Sequence, residues 1–418
     1  VAESPHHIRI LEPALANKIA AGEVVQRPAS VVKELLENSL DAGAKSVSII
    51  IEESGSRLIQ IVDDGTGMTP EDASLAFERH ATSKIASIED LESILTFGFR
   101  GEALASISSV AQVELRTRST SSDVGSLIRV EGGTLKESSE TAVPIGTSIS
   151  VRNLFFNTPA RRNFLKSPQT EFRHLFDAVQ RTAIARPDVS FKLVSDGETL
   201  LNAVRGEMPD RMRDIFGEKV MQTVFPFEES HDLLSIRGYL GLPDYARKSR
   251  TDQYIYLNGR YIFSKSLGHA VIQAYEHLLE KGSFPFFIMM ITIDPHRVDV
   301  NVHPSKMEVK FADEQAAYRF VFTSLRNLLM SRDLLPSIGG REESPGNASE
   351  VFRLQFRQGE TQVGARNTAW ADLLRSVPES GSESLFTKDF RGSINQDKFA
   401  VDSESVLASE PVSVEAQE

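Results

Sequence analysis

Arg27 to Ala44 reads RPASVVKELLENSLDAGA, and Ile59 to Met68 reads IQIVDDGTGM. In the first stretch Pro28 suits the opening turn of a helix, where its missing N–H costs nothing, and Gly43 suits the exit, where the backbone turns left-handed. With about 100° between successive residues, Glu34, Asn38 and Asp41 fall on one side of that helix, and Val32, Leu35, Leu36 and Leu40 on the other. Taken alone, such a polar side simply faces water. The second stretch weighs against that. An apolar strand delivers Asp63 and then turns through Gly65 and Gly67, so a carboxylate can meet a base edge while bare backbone approaches a ligand. A plain Asp-Gly hairpin turn has the same look and stays open at this point.

Working outward, Glu78 to Lys84 (ERHATSK) leads to Leu95 to Ala105 (LTFGFRGEALA). Gly98, Phe99, Arg100 and Gly101 precede a helical pattern that opens at Glu102, Ala103 and Leu104, and the free N–H groups of a helix start seat phosphate well. Ordinary capping needs only one glycine. Two glycines around an arginine, with Thr82, Ser83 and Lys84 in a polar loop just upstream, favour a lid over a nucleotide that the ligand orders. The GxxxxGK phosphate loop followed by Ser or Thr is absent, so any phosphate seat is of another kind.

The surrounding chain alternates helical and strand patterns. Strand candidates are Ser46 to Ile51, Leu58 to Asp63, Val113 to Thr117, Leu127 to Glu131 and Ser148 to Arg152, which pair readily as antiparallel neighbours. A helix capped by Ser167-Pro168 and stopped at Arg186-Pro187 closes this first core. A second block repeats the logic, with strands at Leu233 to Leu240, Tyr254 to Leu257, Phe286 to Ile293 and Glu308 to Phe311, and helices over Lys265 to Glu280 and Asp313 to Ser331. The expected division is 1–213, 214–335 and an acidic, disordered linker over 336–418, where too little apolar surface exists to offset chain entropy.

Composition bounds the function. At 418 residues, 40% hydrophobic and 25% charged, the chain is ordinary for globular domains, and no apolar run is long enough to cross a bilayer, so a membrane role is not expected. The opening VAESPHHIRILEP lacks the blocks of a secretory signal and there is no cysteine, so the expectation is a cytoplasmic protein. The net charge of −12 argues against indiscriminate coating of nucleic acid. Half of it lies in residues 340–418, with 8 Lys+Arg against 14 Asp+Glu, so a local basic surface is compatible with the total. Candidates are Arg161, Arg162 and Lys166, then Arg247, Lys248 and Arg250, then Arg260 and Lys265, with Arg260 of the NGR turn the foremost; dispersed surface charge is the competing reading for each. His303 has no second histidine at ligand spacing, which favours a structural role over a metal.

The blocks IAAGEVVQRPASVVKELLENSLDAGA, DDGTGM, RHATSK and GFRGEALASISSV resemble the signatures of the MutL family, and the likeness continues through GTSISVRNLFFNTPARRNFLKS, YLNGRYI and VDVNVHPSKMEVKF, covering residues 8–332. The resemblance implies an α+β fold: the GHKL (Bergerat) ATPase α/β sandwich shared with gyrase B, Hsp90 and histidine kinases, then a second, smaller α/β domain. It also implies ATP and magnesium as cofactors. Glu34 would be the general base and Asn38 the magnesium ligand. Asp63 would recognise the adenine amino group, helped by Gly67 and Thr147, and Gly98 and Gly101 would wrap the phosphates. Lys306 of HPSK would reach the γ-phosphate from the second domain. DNA would be held by Arg161, Arg162, Arg260 and Lys265 through phosphate contacts with little sequence preference.

Further implied are slow ATP turnover and an ATP-dependent N-terminal homodimer. The implied partners are a MutS-type mismatch recognition protein, a helicase or nicking endonuclease and no membrane, in a bacterial cytoplasm near the nucleoid during repair. A C-terminal dimerisation domain, in some members a metal-dependent endonuclease, is expected to follow this stretch. Two rival readings are a type II topoisomerase subunit of the same ATPase fold and a nucleotide-free DNA scaffold. The NTPARRNFL and NVHPSK blocks oppose the first, and the Glu34, Asn38 and Asp63 set opposes the second.

Overall fold

Helix α1, Pro28–Asp41, forms where the apolar spacing requires it. Its exit is a Schellman turn: Gly43 takes φ +73°, its N–H reaches the Leu40 carbonyl at 3.0 Å, and the Ala44 N–H reaches Ser39 at 3.1 Å. The buried stripe is Val31, Val32, Leu35, Leu36 and Leu40, each 5% exposed or less, and it leaves Glu34, Asn38 and Asp41 on the opposite, partly open side. The computed structural model describes residues 18–19, 21–22, 24–84, 98, 101–231, 234–299 and 309–332.

After α1 come β1 (Ser46–Glu52), β2 (Leu58–Asp63), α2 (Pro70–Leu75), α3 (Ala103–Val110), β3 (Gln112–Arg118), β4 (Gly125–Glu131), β5 (Thr134–Thr141) and β6 (Gly146–Arg152). Then follow α4 (Pro159–Asn163), α5 (Pro168–Ala185), β7 (Ser190–Ser195) and β8 (Glu198–Ala203). These strands make one eight-stranded sheet in the order β5-β4-β3-β6-β2-β1-β7-β8. Every pairing is antiparallel except β1 with β7, which the long return through α5 makes parallel. Helices α1 and α5 pack on the sheet through one continuous core that joins Leu35, Leu36, Ile49, Ile61, Leu175 and Val179.

All five strand candidates of this region are present, Leu58–Asp63 with unchanged bounds and the other four extended by a residue or two. Strand β5 had no counterpart among them. It is an outer strand with both faces exposed along most of its length, so TLKESSET shows no apolar alternation to read. Ser167 caps α5 as expected, its Oγ accepting from the Thr170 N–H, and the helix stops at Ala185.

The second region holds α6 (Met208–Phe216), α7 (Glu218–Met221), β9 (Val224–Ser230), β10 (Leu234–Gly241), β11 (Gln253–Leu257), β12 (Arg260–Ile262), α8 (Lys265–Ala274), β13 (Phe287–Ile293), β14 (Val298–Asp299), β15 (Lys310–Phe311) and α9 (Glu314–Ser331). Five strands form a sheet in the order β12-β11-β13-β10-β9, covered by α8 and α9. Helix α8 is shorter than the Lys265 to Glu280 expected. Tyr275 ends it, fully buried, with its hydroxyl donating to the Gly241 carbonyl at 2.7 Å.

Helices α5 and α6 meet the second sheet in a third apolar cluster that includes Ile184, Met212, Phe216, Tyr254, Tyr256, Phe286 and Ile288. Tyr256 Oη also donates to the Arg181 carbonyl of α5 at 2.9 Å. Helix α6 runs unbroken across residues 213 and 214, where the sequence suggested a boundary, and its Arg211 is fully buried. That guanidinium is held by the carbonyls of Ala183, Pro187, Val189 and Val204, and burial pushes its pKa down against the pull of the Asp214 and Asp188 carboxylates. Among the described residues no helix is long and apolar enough to cross a membrane.

Candidate functional site

The end of β2 meets the buried flank of α1. Asp63 Oδ2 accepts from the Ser39 hydroxyl at 2.7 Å and Oδ1 from the Gly65 N–H at 3.0 Å. Strand β6 brings Thr147 directly opposite Asp63, and its N–H also favours the carboxylate. Burial nevertheless dominates and raises the Asp63 pKa above the usual aspartate value, against the pull of Ser39, Gly65 and Thr147. Thr147 is 8% exposed, with its hydroxyl 3.0 Å from that of Thr117, and Thr117 also accepts from the Met68 N–H at 3.0 Å.

The chain itself needs the glycines of this loop, apart from any ligand. Gly67 has φ +66°, and a Cβ there would collide with the Arg118 carbonyl. At Gly65 a Cβ would lie 2.9 Å from the Ala42 carbonyl oxygen. Backbone packs on backbone at both positions, which holds the loop between α1 and β3. Asp64 adds to the clamp by accepting from the Lys45 and Ser46 N–H groups at 2.7 and 2.8 Å.

Further along the open side of α1, Lys84 Nζ donates to Asn38 Oδ1 at 2.8 Å and to Asp41 Oδ2 at 2.6 Å, and the Gly98 N–H donates to the same Asp41 oxygen at 3.0 Å. Thr82 Oγ1 accepts from the Lys84 N–H at 3.2 Å, and Ser83 is exposed. The 78–84 loop is tied to the start of α3: the His80 N–H reaches the Gly101 carbonyl at 3.2 Å, and His80 Nδ1 lies 3.4 Å from Glu102 Oε1. Gly101 takes φ +61°, and a Cβ there would strike the Ala81 carbonyl. Glu102 sits at the N-cap of α3, followed by Ala103 and Leu104, so the first N–H groups of that helix lie beside the loop. Phe99, Arg100 and Lys306, with His303, lie outside the described residues.

At the other end of this face Glu34 pairs with Lys33, Nζ to Oε1 at 3.1 Å, and Lys33 also reaches Glu37 at 2.9 Å. Burial works against the Lys33 ammonium, yet the two glutamates outweigh it and hold its pKa above the ordinary value. The structure thus gathers Glu34, Asn38, Asp63, Gly65, Gly67, Thr82, Lys84, Gly98, Gly101 and Thr147 around α1 and the strand ends beside it. Ser39, Asp41 and Thr117 join them without having been assigned a role from sequence. For Ser39 the available signal was a hydroxyl on the apolar side of a helix; for Asp41 it was the shared face with Asn38.

The basic candidates are scattered. Arg161 turns inward and donates to the Lys18 carbonyl at 2.7 Å, whereas Arg162 is exposed, two residues from Phe164, which is 83% exposed. Arg260 opens β12 after a two-residue Asn258-Gly259 turn with φ of +48° and +82°. Lys265 is exposed at the start of α8. Arg247 and Arg250 lie over the rings of Tyr245 and Phe284, with the guanidinium carbon 4.6 Å from each centroid, and Lys248 pairs with Glu280 at 3.2 Å.

Residues 26–156 match the histidine kinase-, DNA gyrase B- and HSP90-like ATPase family, and residues 212–330 match the DNA mismatch repair protein C-terminal domain family. The DNA mismatch repair protein MutL of Flavobacterium psychrophilum is 40% identical over 414 residues, 96% of this chain and 67% of that protein. The chain belongs to the MutL family. The Porphyromonas gingivalis MutL is likewise 40% identical over 416 residues, with 96% and 67% covered. That of Chloroherpeton thalassium is 42% identical over 374 residues, 87% of this chain and 58% of the relative, so the chain spans about three fifths of that MutL.

Among solved structures, the ATPase domain of the mismatch repair endonuclease MutL from Aquifex aeolicus aligns with a TM-score of 0.51 at 25% identity, covering 73% of this chain and 99% of that one. The N-terminal domain of a DNA repair protein shares the fold, with a TM-score of 0.67 at 24% identity over 76% and 99%. Membership in MutL sets aside the topoisomerase reading. It also makes the eight-stranded sheet with α1 and α5 a GHKL-type ATPase sandwich.

Proposed function

We propose that this MutL-family chain binds ATP with magnesium and hydrolyses it slowly, and that binding switches the pairing of two N-terminal halves and their closure on DNA during mismatch repair. The observation that carries the reading is the Asp63 carboxylate, seated by Ser39 and Gly65 at a strand end beside the Asn38 face of α1. A half-buried acceptor of this kind suits the exocyclic amino group of adenine, which brings two N–H donors. Glu34 would take the proton of the attacking water, with Lys33 keeping a positive charge beside it. The loop at Thr82, Ser83 and Lys84, the run from Gly98 through Phe99, Arg100, Gly101 and Glu102, and the N–H groups of Ala103 and Leu104 would surround the phosphates. Lys306 would add a cation from the second domain.

Magnesium fits the corner at Asn38. The Lys84 ammonium already draws on Asn38 Oδ1 and Asp41 Oδ2, both hard oxygens of the type this ion prefers. Magnesium commonly keeps several waters and takes substrate phosphate oxygens, so one or two protein oxygens at this corner would suffice. When bound, magnesium would neutralise phosphate charge.

For DNA we propose Arg162, Arg260 and Lys265 as phosphate contacts, with Arg161 acting through its hold on the N-terminal segment. A MutS-type protein, a helicase or a nicking endonuclease would be the repair partners, in the bacterial cytoplasm. The division at residues 1–213, 214–335 and 336–418 stands as part of the same proposal. Sedimentation with and without a non-hydrolysable ATP analogue tests the switch: a monomer that becomes a dimer supports it. A monomer at saturating, demonstrably bound nucleotide rejects it.

A further inference from the structure

Three segments far apart in the chain meet at one carboxylate. Asp41 lies at the end of α1 with its side chain 6% exposed, and its Oδ2 accepts both the Lys84 ammonium at 2.6 Å and the Gly98 N–H at 3.0 Å. The same ammonium donates to Asn38 Oδ1 at 2.8 Å. A Cβ on Gly98 would lie 3.1 Å from Lys84 Nζ and 3.5 Å from Asn38 Oδ1, so the glycine closes the seat around the ammonium. An ammonium has three protons, and two of them are committed here. Magnesium binds oxygen at about 2.1 Å, and two cations cannot share Asn38 Oδ1 at such distances without strong repulsion. The residue that would serve the phosphates and the ion that would bind Asn38 therefore compete for one position.

We propose that Asp41 is a positioning residue that parks Lys84 on the metal-binding amide of the nucleotide-free protein, and that loading the site moves the ammonium off Asn38 toward the phosphates. This rests on the nucleotide reading given above. The carboxylate is needed for its charge, since a neutral amide would hold the lysine far less firmly. Parking has a second effect: the same oxygen anchors Gly98, so the start of the phosphate-wrapping run and the lysine are held by one group.

A double-mutant cycle tests the coupling. Affinity for a non-hydrolysable ATP analogue is measured by calorimetry in EDTA for the full chain, Asp41→Asn, Lys84→Met and the double variant. With Lys84 present, Asp41→Asn frees the ammonium for phosphate and tightens binding by about tenfold, the order of one charge-assisted hydrogen bond. In the Lys84→Met background the same change alters affinity by less than about twofold, because the pair is already gone. An equal gain in both backgrounds, meaning that Asp41 acts only as a nearby charge, overturns the proposal, as does the absence of any gain.

A second measurement needs no nucleotide. Acetylation followed by mass spectrometry should modify Lys84 of the nucleotide-free wild type at least about tenfold more slowly than exposed Lys219, and Asp41→Asn should remove most of that protection. Equal rates at Lys84 and Lys219 in the wild type refute the parked state. Wild-type protein that binds no analogue with or without magnesium, while Lys84 remains protected, refutes the nucleotide reading and leaves the parking intact.

Discussion

Replacing Asp63 with asparagine should separate stability from function. In the folded protein burial raises the Asp63 pKa, so the ionised carboxylate opposes folding. The sign follows from linkage. A carboxyl with a raised folded pKa is neutral at no cost below its unfolded value, and the penalty grows as pH rises through the folded value. The substituted side chain would carry no charge, and of the three groups that favour the carboxylate its amide can keep Gly65 and Ser39: the oxygen accepts from the Gly65 N–H, and the amide nitrogen faces the Ser39 hydroxyl, which rotates to accept.

Each surviving bond drops from the charged to the neutral class, a loss of about 1 kcal/mol apiece, and removal of the buried charge offsets it. The melting temperature of Asp63→Asn at pH 7 should therefore match or exceed that of the wild type. The comparison should move in the wild type's favour as pH falls below the carboxylate range. Nucleotide affinity behaves differently. An adenine amino group that loses a charged acceptor and meets an N–H donor forfeits about 1.5–3 kcal/mol, or about 10- to 150-fold in Kd. Scanning calorimetry and titration with a fluorescent ATP analogue read the two quantities. A variant that melts well below the wild type at pH 7 yet binds nucleotide normally would refute the reasoning.

Glu34→Ala should keep analogue binding and analogue-dependent dimerisation while hydrolysis falls by about 10²- to 10⁴-fold, the usual worth of a general base; a phosphate-release assay showing wild-type turnover removes that role. Wild-type turnover itself should lie below the ~1–100 per second of kinases, as befits a switch. Gly67→Ala should cost about 2–5 kcal/mol, from left-handed strain and the forced shift of the Arg118 carbonyl, visible as a lower denaturation midpoint in urea. Arg162→Gln and Lys265→Gln should each weaken DNA binding alike for all sequences and reduce the salt slope by about 1. An unchanged slope in filter binding removes the residue from the interface.

What could be read from the sequence was local. The period of α1, its proline start and glycine exit put Glu34, Asn38 and Asp41 on one face, because side-chain direction in a helix depends only on spacing. The strand ending at Asp63 was legible for the same reason, its apolar residues and terminal turn lying within a few positions of one another. The blocks of family resemblance pointed to a nucleotide, and likeness to MutL over 96% of the chain bears out the family.

What needed tertiary structure was every partner at long separation. Ser39 reads as an indifferent serine until β2 brings Asp63, 24 residues later, to within 2.7 Å of it. Gly67 gives no sign in the sequence of the Arg118 carbonyl that β3 places against it. Arg161 reads as a surface cation until the Lys18 carbonyl captures it, and Asp41 reads as one more polar residue until Lys84 and Gly98 converge on its oxygen. Periodicity specifies which way a side chain points, whereas the group it meets is decided by which strands and loops the burial of a common core brings alongside.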